Sequence, residues 1–423
     1  ALTATTIGSD SAARTYYKMS SAVSLPKDGA WTIEWKGTSP ASCVVLASND
    51  DARDVSGKGA EYIYVANNSG LVDSTELFFV QSGGASGSSI RLSNIPDAVK
   101  NDSDATWYII HDGNGNLTLA VYGNGQLVKT ALSNVIDRDY SYNAIKGYYS
   151  TGMPIGYNGN LDYMKIYHRA AELPVAKMNN KVYTSLADAV AAAPTETYPN
   201  TPTTAATITL LTDVESGFDI GVESHNISNF KTQNIEIDLN SHTLKLGHPP
   251  VGSSATLKTN GLRVLAFSKL AIRNGNLIAS DGNVLIAIAN YGTLLMDGVN
   301  MSVGDQVLYT INNRGDLTLQ GATKVPDGKV VAITNEPYDY PDTQNINAKL
   351  NVASETVEVG NVQIELGDVK QSQTNAINSG VPEINISAGS FGKIYDDGKT
   401  AKTPIGNITG GTFSEIVPEN LCG

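Results

Sequence analysis

The stretch "IANYGTLLMDG" (Ile288–Gly298) is followed by "INNRGDLTLQG" (Ile311–Gly321). The two keep Ile, Asn, Gly and Leu in step, close on the same Gly, and lie 23 residues apart. A third echo, Ile333-Thr334-Asn335, arrives 22 residues after Ile311. Such a period is the mark of a stack of coils, in which each turn of the chain sets its inward side chains above those of the turn before. Parallel strands need crossover connections, and a coil stack supplies them with turns rather than helices. Ile288, Ile311 and Ile333 are therefore expected to form one buried column. Asn290, Asn313 and Asn335 are expected at one turn, where stacked amides bond along the axis.

Further coils fit the same frame. "IEIDLNSHTLKLG" starts at Ile235, "KLAIRNGNLIA" at Lys269, "LNVASETVEVG" at Leu350, "INISAGSF" at Ile384 and "GNITGGTF" at Gly406. "GHPPVGSSATLKTN" and "EPYDYPDTQN" are read as loops standing out from the stack. A leucine-rich solenoid lacks its Leu-x-x-Leu-x-Leu spacing here, and a second sandwich would not return Ile-x-Asn-x-Gly at a fixed interval.

The first half obeys another rule. "WTIEWKG" (Trp31–Gly37), "CVVLAS" (Cys43–Ser48), "EYIYVAN" (Glu61–Asn67), "ELFFVQSGG" (Glu76–Gly84), "TWYIIHDGNGNLTLAVYGNGQLV" (Thr106–Val128) and "NGNLDYMKIYHRA" (Asn158–Ala170) alternate apolar and polar residues. Gly and Asn punctuate the turns, as a two-sheet antiparallel sandwich requires. The aromatic-Thr-Ile-Glu opening, the Tyr-x-Asn-Gly-Gln hairpin and the closing motif resemble the laminin-G-like, concanavalin-type jelly roll. Gly159, Asp162, Ile166, Tyr167, Arg169 and Ala170 carry that closing motif. The resemblance spans most of residues 1–172. It implies a binding module for glycans or glycoproteins, in some members with calcium, for which Asp162 is the candidate ligand. The alternative for Asp162 is a structural hydrogen-bonding residue.

Between the halves, "MNNKVYTS" reads as a hairpin. "TSLADAVAAAP" reads as a short helix capped by Thr184 or Ser185, with Leu186, Ala189, Val190 and Ala193 on one face and Pro194 as its stop. "KVYTSLADAVAAA…TITLLTDV" followed by "IEIDLNSHTLKL" resembles the entry to right-handed parallel β-helix domains in secreted proteins of Gram-positive bacteria and their phages. There a helix covers the first coil. The expected fold is thus all-β: a jelly roll over 1–172, a linker, hairpin and capping helix over 173–214, and a parallel β-helix over 215–423.

Composition narrows function. Of 423 residues, 41% are hydrophobic and 17% charged, and the net charge is −13. Such an acidic chain offers no counterion release to nucleic acid and no steering toward anionic lipid. No apolar run approaches the roughly 20 residues of a membrane-spanning helix. Cys43 and Cys422 lie in separate halves and lack metal-site spacing, so both read as bystanders.

A glycan hydrolase would need paired carboxylates, and a lyase a Lys or Arg base, recurring one coil apart. Asp297 and Asp316 fall at non-equivalent positions of their repeats. Asp396-Asp397 sits in a turn sequence. His225, His242 and His248 all precede the clear repeats. Tyr291 and Arg314 instead occupy the same place in adjacent coils, and Tyr338 and Tyr340 are expected beside them. Aromatics with an Arg suit recognition of sugars or proteins; solvent-facing turn residues are the plainer reading.

The leading expectation is a non-enzymatic extracellular recognition protein binding a glycan or glycoprotein on a host or cell surface. It would be a bacterial adhesin or a phage fibre or spike, the latter a homotrimer. A polysaccharide lyase or glycoside hydrolase with an appended binding module is the second class. A structural decoration protein is the third.

Overall fold

A computed structural model describes residues 2–7, 14–37, 44–47, 62–65, 92, 94–136, 139–146, 161–224, 226–252, 258–326, 329–334, 348–365, 381–396 and 405–423. The chain divides into two compact units, Ala1–Leu173 and Pro174–Gly423. Both are built from strands. Among the described residues no helix is long and apolar enough to cross a membrane.

The first unit holds two five-stranded antiparallel sheets. One runs Leu2–Ile7, Arg14–Leu25, Tyr140–Lys146, Val44–Ala47, Tyr62–Val65, and the other Leu161–Tyr167, Trp31–Gly37, Thr106–His111, Leu117–Gly123, Gln126–Leu132. Period-two alternation sends Trp31, Ile33, Trp35, Trp107, Ile109, Leu117, Leu119 and Val121 to one buried cluster. Trp35 and Trp107 face each other in register, and their rings stack at 6.2 Å. The Asn124-Gly125 turn takes φ of 45° and 71°, which gives the right-handed twist a two-residue hairpin needs. His111 is fully buried: its Nδ1 lies 3.0 Å from the Gly29 carbonyl, and the Gly115 amide donates to its Nε2.

The second unit stacks most of its strands in parallel. Its largest sheet, of 13 strands, passes through Ala206–Leu210, Lys231–Asp238, Lys269–Ala279, Thr293–Val303, Asp316–Gln320, Lys349–Val352, Glu383–Ile386 and Ile405–Ile408. An eight-stranded sheet passes through Phe218–Ile220, Lys258–Val264, Ile286–Asn290, Tyr309–Asn313, Val330–Thr334, Asn361–Glu365 and Ile394–Asp396. Most repeats give one strand to the first and one to the second, and Glu358–Val359, Ser390–Phe391 and Thr412–Phe413 form a third, three-stranded sheet. Ile235, Leu270, Leu294, Leu317, Leu350 and Ile384 stack inward in the large sheet, and all are buried.

The repeat length varies. Stacked Asn partners lie 23 residues apart at Asn290 and Asn313, 34 at Asn351 and Asn385, and 22 at Asn385 and Asn407. The closing glycines of the two quoted repeats, Gly298 and Gly321, hold φ of 65° and 60°, a region costly for residues with a Cβ.

One expectation needs correction. Ile311 pairs with Val331, not Ile333, so the buried column is Leu262, Ile288, Ile311, Val331, Val362 and Ile394. Ile333 stands at the place of Asn313 instead. The run Val330-Val331-Ala332-Ile333 offers two apolar residues of the same parity, and the pattern alone does not choose between them. Asn335 lies outside the described residues. Within 173–214 the expected hairpin forms from Ala176–Met178 and Lys181–Tyr183, and both its strands and Ala206–Leu210 join the large sheet.

The helix Leu186–Ala191 buries Leu186, Ala189 and Val190, and the Ser185 hydroxyl accepts from the Asp188 amide as its cap. Gln233 holds its other end. Its amide nitrogen donates to the carbonyls of Val190 and Ala193, and its oxygen accepts from the Gly221 amide.

Candidate functional site

The Ile-x-Asn-x-Gly motif makes a turn from the eight-stranded sheet to the large one. Asn290 and Asn313 are fully buried there, and Asn290 Nδ2 donates to Asn313 Oδ1 at 2.7 Å. Asn313 Nδ2 in turn donates to the carbonyls of Gly315 and Lys349, and the Gly292 amide donates to Asn290 Oδ1. Gly315 passes so close to Gly292 that a Cβ would run into the Gly292 carbonyl oxygen. These contacts fix where the residue between Asn and Gly projects.

That residue is Tyr291 in one repeat and Arg314 in the next. The Tyr291 amide donates to the Val264 carbonyl and the Arg314 amide to the Asn290 carbonyl, the same bond one layer on. The Arg314 guanidinium lies 5.3 Å from the centre of the Tyr291 ring. A cation over an aromatic face at that distance is attractive by about 0.5–1 kcal/mol or more. The sequence reading placed these two residues at equivalent positions of adjacent repeats, and the structure sets them side by side. That reading misjudged their exposure, because both are half-buried rather than solvent-facing. Tyr291 packs against a small cluster of Phe230, Leu265 and Ala266.

That cluster was not legible in the repeats. One layer before Tyr291 the turn is longer, "LAFSK", and Phe267 occupies it at φ 64°, 37% exposed. A bulky residue in the left-handed region costs roughly 1–2 kcal/mol. The Phe267 ring sits 4.7 Å from Tyr198, whose ring meets Phe230 edge-on at 6.1 Å. The Thr201 hydroxyl donates to the Phe267 carbonyl at 2.6 Å, tying the loop between Thr197 and Ala206 to the turn. The outcome is a graded flank: Phe267 and Tyr198, then Tyr291, then Arg314. The signal available in the sequence was the two-residue excess in this turn over the two that follow.

Tyr338 and Tyr340 lie outside the described residues, as do His225 and Cys43. Asp162 falls in the strand Leu161–Tyr167, at a shift in its pairing register with Trp31–Gly37; its side chain is outside the described set. Among the described residues no group of three or more His, Cys, Asp or Glu is placed to hold a metal.

Several half-buried carboxylates of the second unit serve ion pairs. Arg263, 8% exposed, pairs with Asp219 and Glu223. Arg273 pairs with Glu236 at 2.9 Å and with Asp297, which also accepts from Gln320 Nε2. One Arg thus clamps carboxylates on the strands either side of its own.

In the first unit, Glu34 gathers tyrosines. It accepts from the hydroxyls of Tyr163 at 2.8 Å and Tyr167 at 3.0 Å, with Lys165 Nζ at 3.4 Å. Burial, and after it the nearby Glu34 charge, pushes the Tyr108 hydroxyl well above its ordinary value.

An aromatic face with a neighbouring guanidinium can stack on a sugar ring or an aromatic side chain and donate to hydroxyl or carboxylate oxygens. No protein-family model, curated protein or solved structure matches the chain.

Proposed function

We propose that this chain is a non-enzymatic recognition protein acting outside the cell, where it binds a glycan or glycoprotein on a host or cell surface. In this reading the first unit is a laminin-G-like jelly roll and the second a right-handed parallel β-helix. The stack acts as a stiff carrier, as in a bacterial adhesin or a phage fibre. What carries the reading is the flank of Phe267, Tyr198, Tyr291 and Arg314. Its rings and guanidinium are locked by packing before any ligand arrives, so little rotamer freedom is lost on binding. Phe267 keeps a bulky ring outward in a strained turn, and strain of this kind gathers at ligand sites.

The test is an array of glycans and host glycoproteins probed with the parent, Phe267→Ala and Arg314→Ala. Hits are expected for the parent, weakened by more than 1 kcal/mol in the variants if these residues are anchors. Hits of equal affinity in well-folded variants would move recognition away from this flank. Release of new reducing ends or unsaturated sugars from a polysaccharide panel would favour the enzymatic reading.

A further inference from the structure

The outward face of the large sheet carries a second column of asparagines, built unlike the buried one. Thr318, Asn351, Asn385 and Asn407 stand in register on four consecutive parallel strands. Asn407 Nδ2 donates to Asn385 Oδ1 at 2.8 Å, and Asn385 Nδ2 to Asn351 Oδ1 at 2.9 Å. Asn351 Nδ2 then donates to Asp316 Oδ1 at 2.7 Å. The chain of amides points one way and ends on a carboxylate, an order in which each bond polarises the next. Thr318, Asn351, Asn385 and Asn407, with Gln320, Ala353, Ser354 and Ser387, line a depression of about 360 Å³.

The inward pair Asn290 and Asn313 is sealed from solvent and bonds the backbone of neighbouring turns, which is a structural task. The outward column has capacity to spare. Asn407 is exposed and Ser387 is exposed, and neither the Asn407 carbonyl oxygen nor the Ser387 hydroxyl has a partner among the described residues. Stacked strands repeat every 4.8 Å or so, close to the span of one pyranose ring. The column therefore offers about one fixed amide for each sugar unit of a chain running along the stack.

The charge pattern selects among ligands. None of the lining residues is charged. The bordering Lys349 and Glu383 are paired at 3.0 Å, and Asp316 is held by Asn351. A uronate chain would find no free cation in the lining to meet its carboxylates. An extended peptide could not add as a strand over the inner strands, which are paired on both sides, and the outer edge of Ile405–Ile408 is covered by Leu421 and Cys422. An uncharged, hydroxyl-rich chain fits both facts.

We propose that this amide-lined depression is a binding site for a neutral polysaccharide, separate from the aromatic flank. It deepens the recognition reading, yet rests on its own residues. The test is affinity electrophoresis of the full chain through gels containing hydroxyethylcellulose, xylan, glucomannan, dextran or polygalacturonate. At least one neutral polymer should retard the parent, and polygalacturonate should not. Asn385→Ala removes the middle of the amide chain, and Ser387→Trp fills the depression from an exposed position. Each should weaken retardation at least tenfold in a variant that still melts cooperatively, whereas Gly282→Ala, with open space where its Cβ would stand, should retain it. If Asn385→Ala fails to fold, Ser387→Trp alone decides the matter. Absence of retardation by every neutral polymer, stronger retardation by polygalacturonate, or full retardation of Ser387→Trp would each overturn the proposal. Loss in Arg314→Ala with retention in both groove variants would assign the glycan to the flank instead.

Discussion

Glu34 shows how one residue sets the chemistry of its neighbours. Burial, the hydrogen bond to Glu34 and the Glu34 charge push the Tyr167 hydroxyl up to about 12, against the pull of Arg169. Folding therefore favours the protonated phenol. The stabilisation is whole below the ordinary value of 10.0 and is lost as pH rises from there through about 12. An ultraviolet tyrosinate titration of the native chain should show late-ionising tyrosines. In Glu34→Gln one of them should move back toward the ordinary value. A titration curve unchanged by that substitution would remove Glu34 as a cause.

At the scale of elements, close passage of turns matters more than propensity. Gly315 lies against the Gly292 carbonyl oxygen, whereas Gly282 has nothing within 4 Å of where its Cβ would stand. Gly315→Ala should therefore lower stability by about 1–3 kcal/mol, as overpacking does. Gly282→Ala should be close to neutral. Urea unfolding of the two variants checks both, and equal stabilities would mean that the turns have room to separate. Ile311 sits between Ile288 and Val331 in the buried column, so Ile311→Ala should cost about 2–5 kcal/mol. In a nearest-neighbour stack that loss should extend to the adjoining repeats, as hydrogen exchange at Ile288 and Val331 would report.

At the scale of the molecule, the two units own separate buried clusters, one around Trp31, Trp35 and Trp107 and one running from Ala176 to Leu421. Calorimetry should accordingly resolve two transitions, with Ile311→Ala lowering only one. Circular dichroism should show a β-dominated spectrum, since the described helices are Asp97–Lys100, Leu186–Ala191 and a single 3-10 turn. Both transitions shifting together in Ile311→Ala would show that the units unfold as one.

The sequence by itself determined the all-β class, the antiparallel alternation of the first unit and the parallel recurrence of the second. Those patterns are local: period two marks a strand face, and a returning Ile-x-Asn-x-Gly marks a turn that must fit onto its own copy. It also located Tyr291 and Arg314 at equivalent places, because register in the exact repeats follows from counting. Tertiary structure decided what counting could not. Val331 rather than Ile333 joins the column, since both are apolar and of the same parity, and only the pairing of whole strands separates them. Phe267, Tyr198 and Phe230 meet across a turn and a loop far apart in the chain. The outward asparagines align although their repeats differ in length, because the sheet restores in space a register that insertions hide in sequence.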